Sequence, residues 1–234
     1  MKKVLFVTIT CFVILLVLLV IYFGKDIFIV KNVNIEKNFN IDNKKLLEYL
    51  GITRDKFIWS YNTSEMENKL SKDINLSYYK VTANYPDSII IKLYIREPVA
   101  NISGYNGKVY FIDDKGAVFS KYDINYHIPL IIFNKNISLG HNTQNGIIEV
   151  VNNLRVLKNG NKGLYDSISQ IEIKLKNDGL CDFVVNYKTI NNRIYLKNSI
   201  NVDLLKRGLV CALYLAENGL SGRDVQYSGA GFVF

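Results

Sequence analysis

Between Asn84 and Ala100 the chain reads NYPDSIIIKLYIREPVA, a stretch holding two of its three prolines. Ile89, Ile91, Leu93 and Ile95 alternate with Ser88, Lys92, Tyr94 and Arg96, and only Ile90 breaks the pattern. Successive side chains leave a strand on opposite sides, so alternation of period two means a strand with one buried face. The run before it alternates too, with Tyr79, Val81, Ala83 and Tyr85 opposing Tyr78, Lys80, Thr82 and Asn84. Together they read as a hairpin, and parity constrains its loop. A two-residue loop of Pro86 and Asp87 would place the two apolar sets on opposite faces. An odd loop, Pro86–Ser88, pairs Tyr85 with Ile89 and Val81 with Leu93 and keeps both sets on one side. Pro98 donates no ladder hydrogen bond and ends the second strand.

Upstream of the hairpin the periodicity changes. Val30 to Ile35 reads as a short strand with Val33 and Ile35 inward. Asp42 caps a helix carrying Leu46, Leu47 and Leu50, and Gly51 stops it. A second helix starts near Asn62 or Thr63, where Asn62 and Glu65 have capping-box spacing, and Met66, Leu70 and Ile74 share its face. Between the helices lie Phe57, Ile58, Trp59 and Tyr61, read as core or hinge packing. The order is β-α-α-β-β.

Tyr85-Pro86-Asp87, then alternating Ile and Leu, then Arg96-Glu97-Pro98-Val99-Ala100 resembles the end of the POTRA domain in the bacterial FtsQ/DivIB division proteins. The β-α-α-β-β order is that of a POTRA domain. The turn Asp113-Asp114-Lys115-Gly116 followed by Ala117-Val118-Phe119, and the step Ile128-Pro129-Leu130, resemble the second domain of the same family. Residues 77–119 carry the sharpest resemblance. Two departures stand out. Three residues precede the apolar segment where the family often has a longer tail, and Gln226 follows Asp224-Val225 where the family often has Arg.

Val4 to Phe23 contains no charge over 20 residues, which as a helix covers about 30 Å, the hydrocarbon thickness of a bilayer. Lys2 and Lys3 precede it, favouring a cytoplasmic N-terminus. The run is too long for a typical signal-peptide core and no small-x-small site precedes Gly24. The expected layout is a cytoplasmic tail at 1–3, a transmembrane helix at 4–23, a POTRA domain at 24–97 and a β domain at 98–234. A net charge of +8 would invite a nucleic-acid reading in a cytosolic protein. Outside the membrane it reads as a solvated basic surface.

The second domain shows Val109–Ile112 and Ala117–Phe119 as a hairpin. A helix capped by Thr143 follows, with Ile147, Val150, Val151, Leu154 and Leu157 on one face. Ile171, Ile173 and Leu175 alternate into Asn177-Asp178-Gly179, and Cys181, Phe183, Val185 and Tyr187 continue beyond it. Parity again demands an odd loop, with Gly179 left-handed in a three-residue turn. Arg193–Lys197 adds a strand. Asn201 caps a helix carrying Leu205, Leu209, Ala212, Leu213 and Ala216, ended by Gly219, and a single strand from Asp224 to Phe234 follows. The fold class is α+β: an N-terminal transmembrane helix, a POTRA domain, and an antiparallel-sheet domain with helices packed on it.

The sequence offers no sign of catalysis, cofactor or metal. His127 and His141 have no ligand spacing, and there is no nucleophile elbow, P-loop or dinucleotide fingerprint. Cys181 and Cys211 read as small buried side chains, able to form a disulfide only if the fold brings them together. Four Asn-x-Ser matches, at Asn62, Asn75, Asn101 and Asn136, read as chance in an Asn-rich chain. What remains is binding. No later segment of this sequence follows Phe234 to cover the final strand, whose backbone would template a partner strand if it lies at an edge. The candidate partner-binding residues are Val225, Tyr227, Gly229, Gly231, Phe232 and Phe234. The resemblance implies that FtsB/DivIC-like and FtsL-like division proteins are received there, by a non-enzymatic single-pass scaffold of the division septum with neither nucleic acid nor a small-molecule substrate. A POTRA-containing accessory of transport or outer-membrane assembly, and a membrane-anchored wall enzyme, are the alternatives.

Overall fold

The computed structural model describes residues 2–24, 26–120, 127–141, 144–188 and 190–234. The chain divides into two compact units, Met1–Ile95 and Arg96–Phe234. The first opens with helix α1, Lys2–Gly24. Side chains within it are described for residues 9–19 and for Tyr22. Counted over the described residues, no helix is long and apolar enough to cross a membrane, so the structure does not establish the expected span.

Strand β1 (Asn32–Lys37), helices α2 (Asn43–Leu50) and α3 (Thr63–Leu70), and strands β2 (Leu76–Asn84) and β3 (Ser88–Ile95) complete the first unit. The local sequence explains both helix starts. Asp42 accepts from the Lys44 amide and Asn62 from the Glu65 amide, while Gly51 takes the left-handed conformation (φ 75°) that ends α2. α3 stops at Leu70, so Ile74 falls in the turn that follows, where the Asp73 amide reaches the Leu70 carbonyl at 3.0 Å.

The three strands pair in the order β1-β3-β2, with β1 parallel to β3 and β2 antiparallel to it. Ile89, Ile91 and Leu93 are buried beneath the two helices, a stabilisation of about 2 kcal/mol for each such side chain. The hairpin has the expected parity but a different register. Asn84 faces Ser88 and Val81 faces Ile91, so the loop is Tyr85-Pro86-Asp87, with a cis peptide before Pro86. Side-chain alternation fixes which face is buried and cannot detect a slip of two. Trp59 is not a core residue either. It lies exposed, stacked on Phe57 at 4.9 Å and tilted against Phe28 at 5.2 Å, while Ile58 is the buried member of the run.

The second unit comprises β4 (Pro98–Ser103), β5 (Val109–Asp113), β6 (Ala117–Phe119), β7 (Leu130–Phe133), β8 (Gly140–His141), α4 (Asn145–Gly160), α5 (Lys162–Ser167), β9 (Ile168–Leu175), β10 (Cys181–Tyr187), β11 (Ile190–Leu196), α6 (Val202–Glu217), β12 (Asp224–Tyr227) and β13 (Phe232–Val233). The described strands form one sheet in the order β13-β12-β11-β10-β9-β7-β4-β5-β6-β8. It is mixed, which corrects the expected antiparallel sheet. β4 with β7, β7 with β9 and β11 with β12 run parallel. Pairing order is set by how crossovers pack, and local periodicity carries no record of it.

Ile147, Val150, Val151, Leu154 and Leu157 of α4 are buried as expected; the Thr143 cap lies outside the described residues. Lys176 donates to the Leu180 carbonyl around Asn177-Asp178-Gly179, and Gly179 is left-handed at φ 83°, the turn that parity required. Asn201 caps α6 through the Leu204 amide, but the buried face is Leu204, Leu205, Gly208, Ala212 and Leu215, whereas Leu213 is exposed. A Cβ on Gly208 would lie 3.2 Å from both the Tyr187 hydroxyl and Ile194. That glycine lets α6 approach the sheet closely, and so selects the inward face. At the other end of the unit, Asp113 is buried. Its carboxylate accepts from the Lys115 and Ala117 amides and from Arg96 at 2.6 Å, holding the β5–β6 turn. The three cysteines are free, so Cys181 and Cys211 form no disulfide.

Candidate partner-binding edge

α6 carries the chain across the sheet from β11 to β12, and these two strands lie parallel in the register Arg193↔Asp224, Ile194↔Val225, Tyr195↔Gln226. The loop entering β12 is clamped by Asn192, which is fully buried and whose Nδ2 donates to the Leu220 and Arg223 carbonyls at 3.0 and 3.2 Å. Val225 is 0 % exposed and part of the core. Its side chain therefore holds β12 onto the sheet, so any contact Val225 makes with a partner strand would be through its main chain.

Asp224 to Phe234 is not one strand. The chain turns after Tyr227 and returns as β13, pairing Gln226↔Val233 and Tyr227↔Phe232. Gly229 stands at φ 88°, a conformation that costs a residue with a Cβ about 1–2 kcal/mol. The Gly231 carbonyl accepts from the Ser228 amide at 2.9 Å and from its Oγ at 3.0 Å, and the Tyr227 hydroxyl donates to the Gly229 carbonyl at 2.9 Å. Two glycines around Ala230 are the turn signal that a reading of uninterrupted strand passes over. The hairpin brings the Tyr227 and Phe232 rings to 5.2 Å, both half-buried against the core. Val233 and Phe234 are each 59 % exposed. Thus Tyr227, Gly229, Gly231 and Phe232 converge on the turn, and Phe234 stands apart in solvent.

β13 is the outermost strand at this end of the sheet among the described residues. On the sheet face opposite α6, Tyr195, Gln226 and Val233 form one row. A cleft of about 500 Å³ opens there, lined by Tyr195, Asp224, Val225, Gln226, Ser228, Val233 and Phe234. Tyr195 donates to Asp224 Oδ2 at 3.2 Å, with Arg193 and Lys174 at 5.4 and 5.8 Å from its ring and Glu172 3.6 Å from Arg193. Burial, with further contributions from Asp224, pushes the Tyr195 hydroxyl above its ordinary range, so it remains a neutral donor. Period-two reading of β11 exposes Arg193 and Tyr195 on one face, but nothing in the sequence places them beside β12. Among the described residues no three His, Cys, Asp or Glu side chains converge to hold a metal.

The chain's other sheet has a long edge of its own. β2 pairs with β3 alone among the described residues. The Val81 amide, facing away from β3, donates to Glu67 Oε1 of α3 at 3.0 Å, and Lys80 pairs with the same oxygen at 3.0 Å. The Val81 hydrogen bond, with help from Lys80, holds the Glu67 carboxyl below the usual glutamate range. A capped amide in mid-strand interrupts the template that a second strand would need.

Compared with known families, residues 28–94 match the family model described as the POTRA domain, FtsQ-type. No curated protein matches the chain.

Proposed function

We propose, on the premise that its FtsQ-type POTRA domain makes this chain an FtsQ/DivIB-family protein, that it is a bitopic scaffold of bacterial cell division. In this reading it joins membrane-anchored division proteins at the septum and catalyses no reaction. The observation that carries the reading is the sheet edge at β12 and β13, where main-chain groups, the Tyr227–Phe232 pair and an adjoining cleft lie together. An edge strand binds an extended segment through backbone hydrogen bonds, and flanking pockets select its side chains. FtsB/DivIC-like and FtsL-like proteins are the proposed partners. The POTRA unit contacts neighbours nearer the membrane, and it carries a cleft of about 320 Å³ where Phe39, Ile41, Leu46, Leu70 and Leu76 lie among Asp42, Lys45, Lys69 and Asp73.

Anchoring by α1 belongs to the same proposal. Its helical backbone runs from Lys2 to Gly24, about 34 Å at 1.5 Å per residue, and most of its described side chains are exposed and apolar. A single span with the N-terminus in the cytoplasm confines both units to the membrane surface and raises their effective concentration for other anchored chains. The decisive experiment replaces Tyr227 and Phe232 with Lys and measures recovery of the FtsB/DivIC-like protein from membranes. A loss of at least tenfold is expected; full recovery with a folded protein rules the site out. A fluorescent fusion should gather at septa and not along the whole periphery.

A further inference from the structure

We infer that β13 holds the place of the partner's strand on β12 and is displaced when that partner binds. The inference rests on the proposed reading that a strand adds at this edge, and it names which edge is used. β12 is fixed from within. Val225 is buried, three residue pairs join it to β11, and Asn192 clamps its entry loop. On its outer side β13 covers only Gln226 and Tyr227. β13 itself is held by those two pairs, by the hydrogen bonds of its turn and by the half-buried Phe232 ring against Tyr227, fewer ties than fix β12 from within. A strand added outside β13 would rest on a two-residue template that is itself weakly held. A strand laid on β12 meets four residues, Asp224–Tyr227, and replaces the pairs it breaks with more of the same kind.

β13 also shows what the incoming strand must carry. Phe232 fills the place against Tyr227, and Val233 faces Gln226 on the open face. Side chains two apart share a strand face. The partner segment is therefore extended, with a large apolar side chain in the place of Phe232 and its neighbours in sequence on the open face.

The test uses the full chain with Gln226→Cys and Val233→Cys together. The two Cα atoms of an antiparallel pair lie within disulfide reach, and the two single variants control for folding and for mispairing with Cys11, Cys181 or Cys211. Binding is measured to the FtsB/DivIC-like protein produced in the same membranes. A synthetic peptide of residues 228–234 is the defined probe. Oxidation is expected to weaken both by at least tenfold, and reductant to restore them. A chain lacking residues 229–234 is expected to bind the peptide at least tenfold more tightly than the intact chain does. If the oxidised and reduced proteins bind the partner equally, displacement is overturned, while strand addition outside β13 survives. If no form recovers the partner, reduced protein included, the proposed function falls and this inference with it.

Discussion

The edges of the two sheets differ in how they are closed. β2 is nine residues long, but its Val81 amide is taken by a carboxylate of the helix beside it. β12 is four residues long, and its outer side is covered only by two residues of its own chain. A side chain rooted in a packed helix and paired with Lys80 is a cover tethered to the fold at its base. A two-residue strand on a glycine turn is a removable one. On the proposed reading, the difference would let one chain offer main-chain groups to a partner in one unit without inviting strand pairing in the other.

The largest expected effect comes from taking away what holds β12. Asn192→Ala strands two carbonyls and opens a gap in the core, and should lower stability by about 2–3 kcal/mol. Denaturant unfolding measures this. Hydrogen exchange at Val225 and Gln226 should rise more than elsewhere, and uniform protection would show that the clamp is not local. Next is Glu67→Ala, expected to cost about 1 kcal/mol at this partly exposed site and to promote self-association by sedimentation. Glu67→Gln keeps an acceptor for Val81 and should stay monomeric. If both variants behave alike, the capped amide is not what closes β2.

Gly229→Ala should loosen only the terminal hairpin, by about 1 kcal/mol, visible as roughly fivefold faster exchange at Phe232 and Val233 with little change in overall unfolding. The smallest effect is that of acid. Glu67 has its folded pKa lowered by the Val81 amide first and Lys80 second, so its contribution is present above the ordinary glutamate value and is lost as pH falls through the lowered one. The difference in Tm between the wild type and Glu67→Gln should shrink between about pH 6 and pH 3. A constant difference would remove the carboxylate from the account.

Local chemistry was legible where one residue decides one geometry. Asp42, Asn62 and Asn201 cap the helices their side chains suggested, and Gly179 takes the left-handed place that parity demanded. Faces were legible and registers were not, as Val81 opposite Ile91 shows, because a slip of two leaves every side chain on its own side. The inward turn of α6 depends on Gly208 meeting Tyr187 and Ile194, residues from other strands, and so Leu213 was misplaced. The site was half legible. Tyr227 and Phe232 stood out as aromatics in a strand-like run, but Ser228 and the two glycines turn that run back on itself. Asn192, Glu67 and Tyr195 act through distant pairings that no spacing records.

The parallel crossover from β11 through α6 to β12 carries a consequence for timing. β12 reaches its place beside β11 through the crossover of α6, since a parallel neighbour requires such a connection. β12 and β13 are also the last strands in chain order, so in a polypeptide made from its N-terminal end this edge of the sheet is the last to become available. On the proposed reading, a chain whose last helix is not yet folded offers a partner strand no ledge to join.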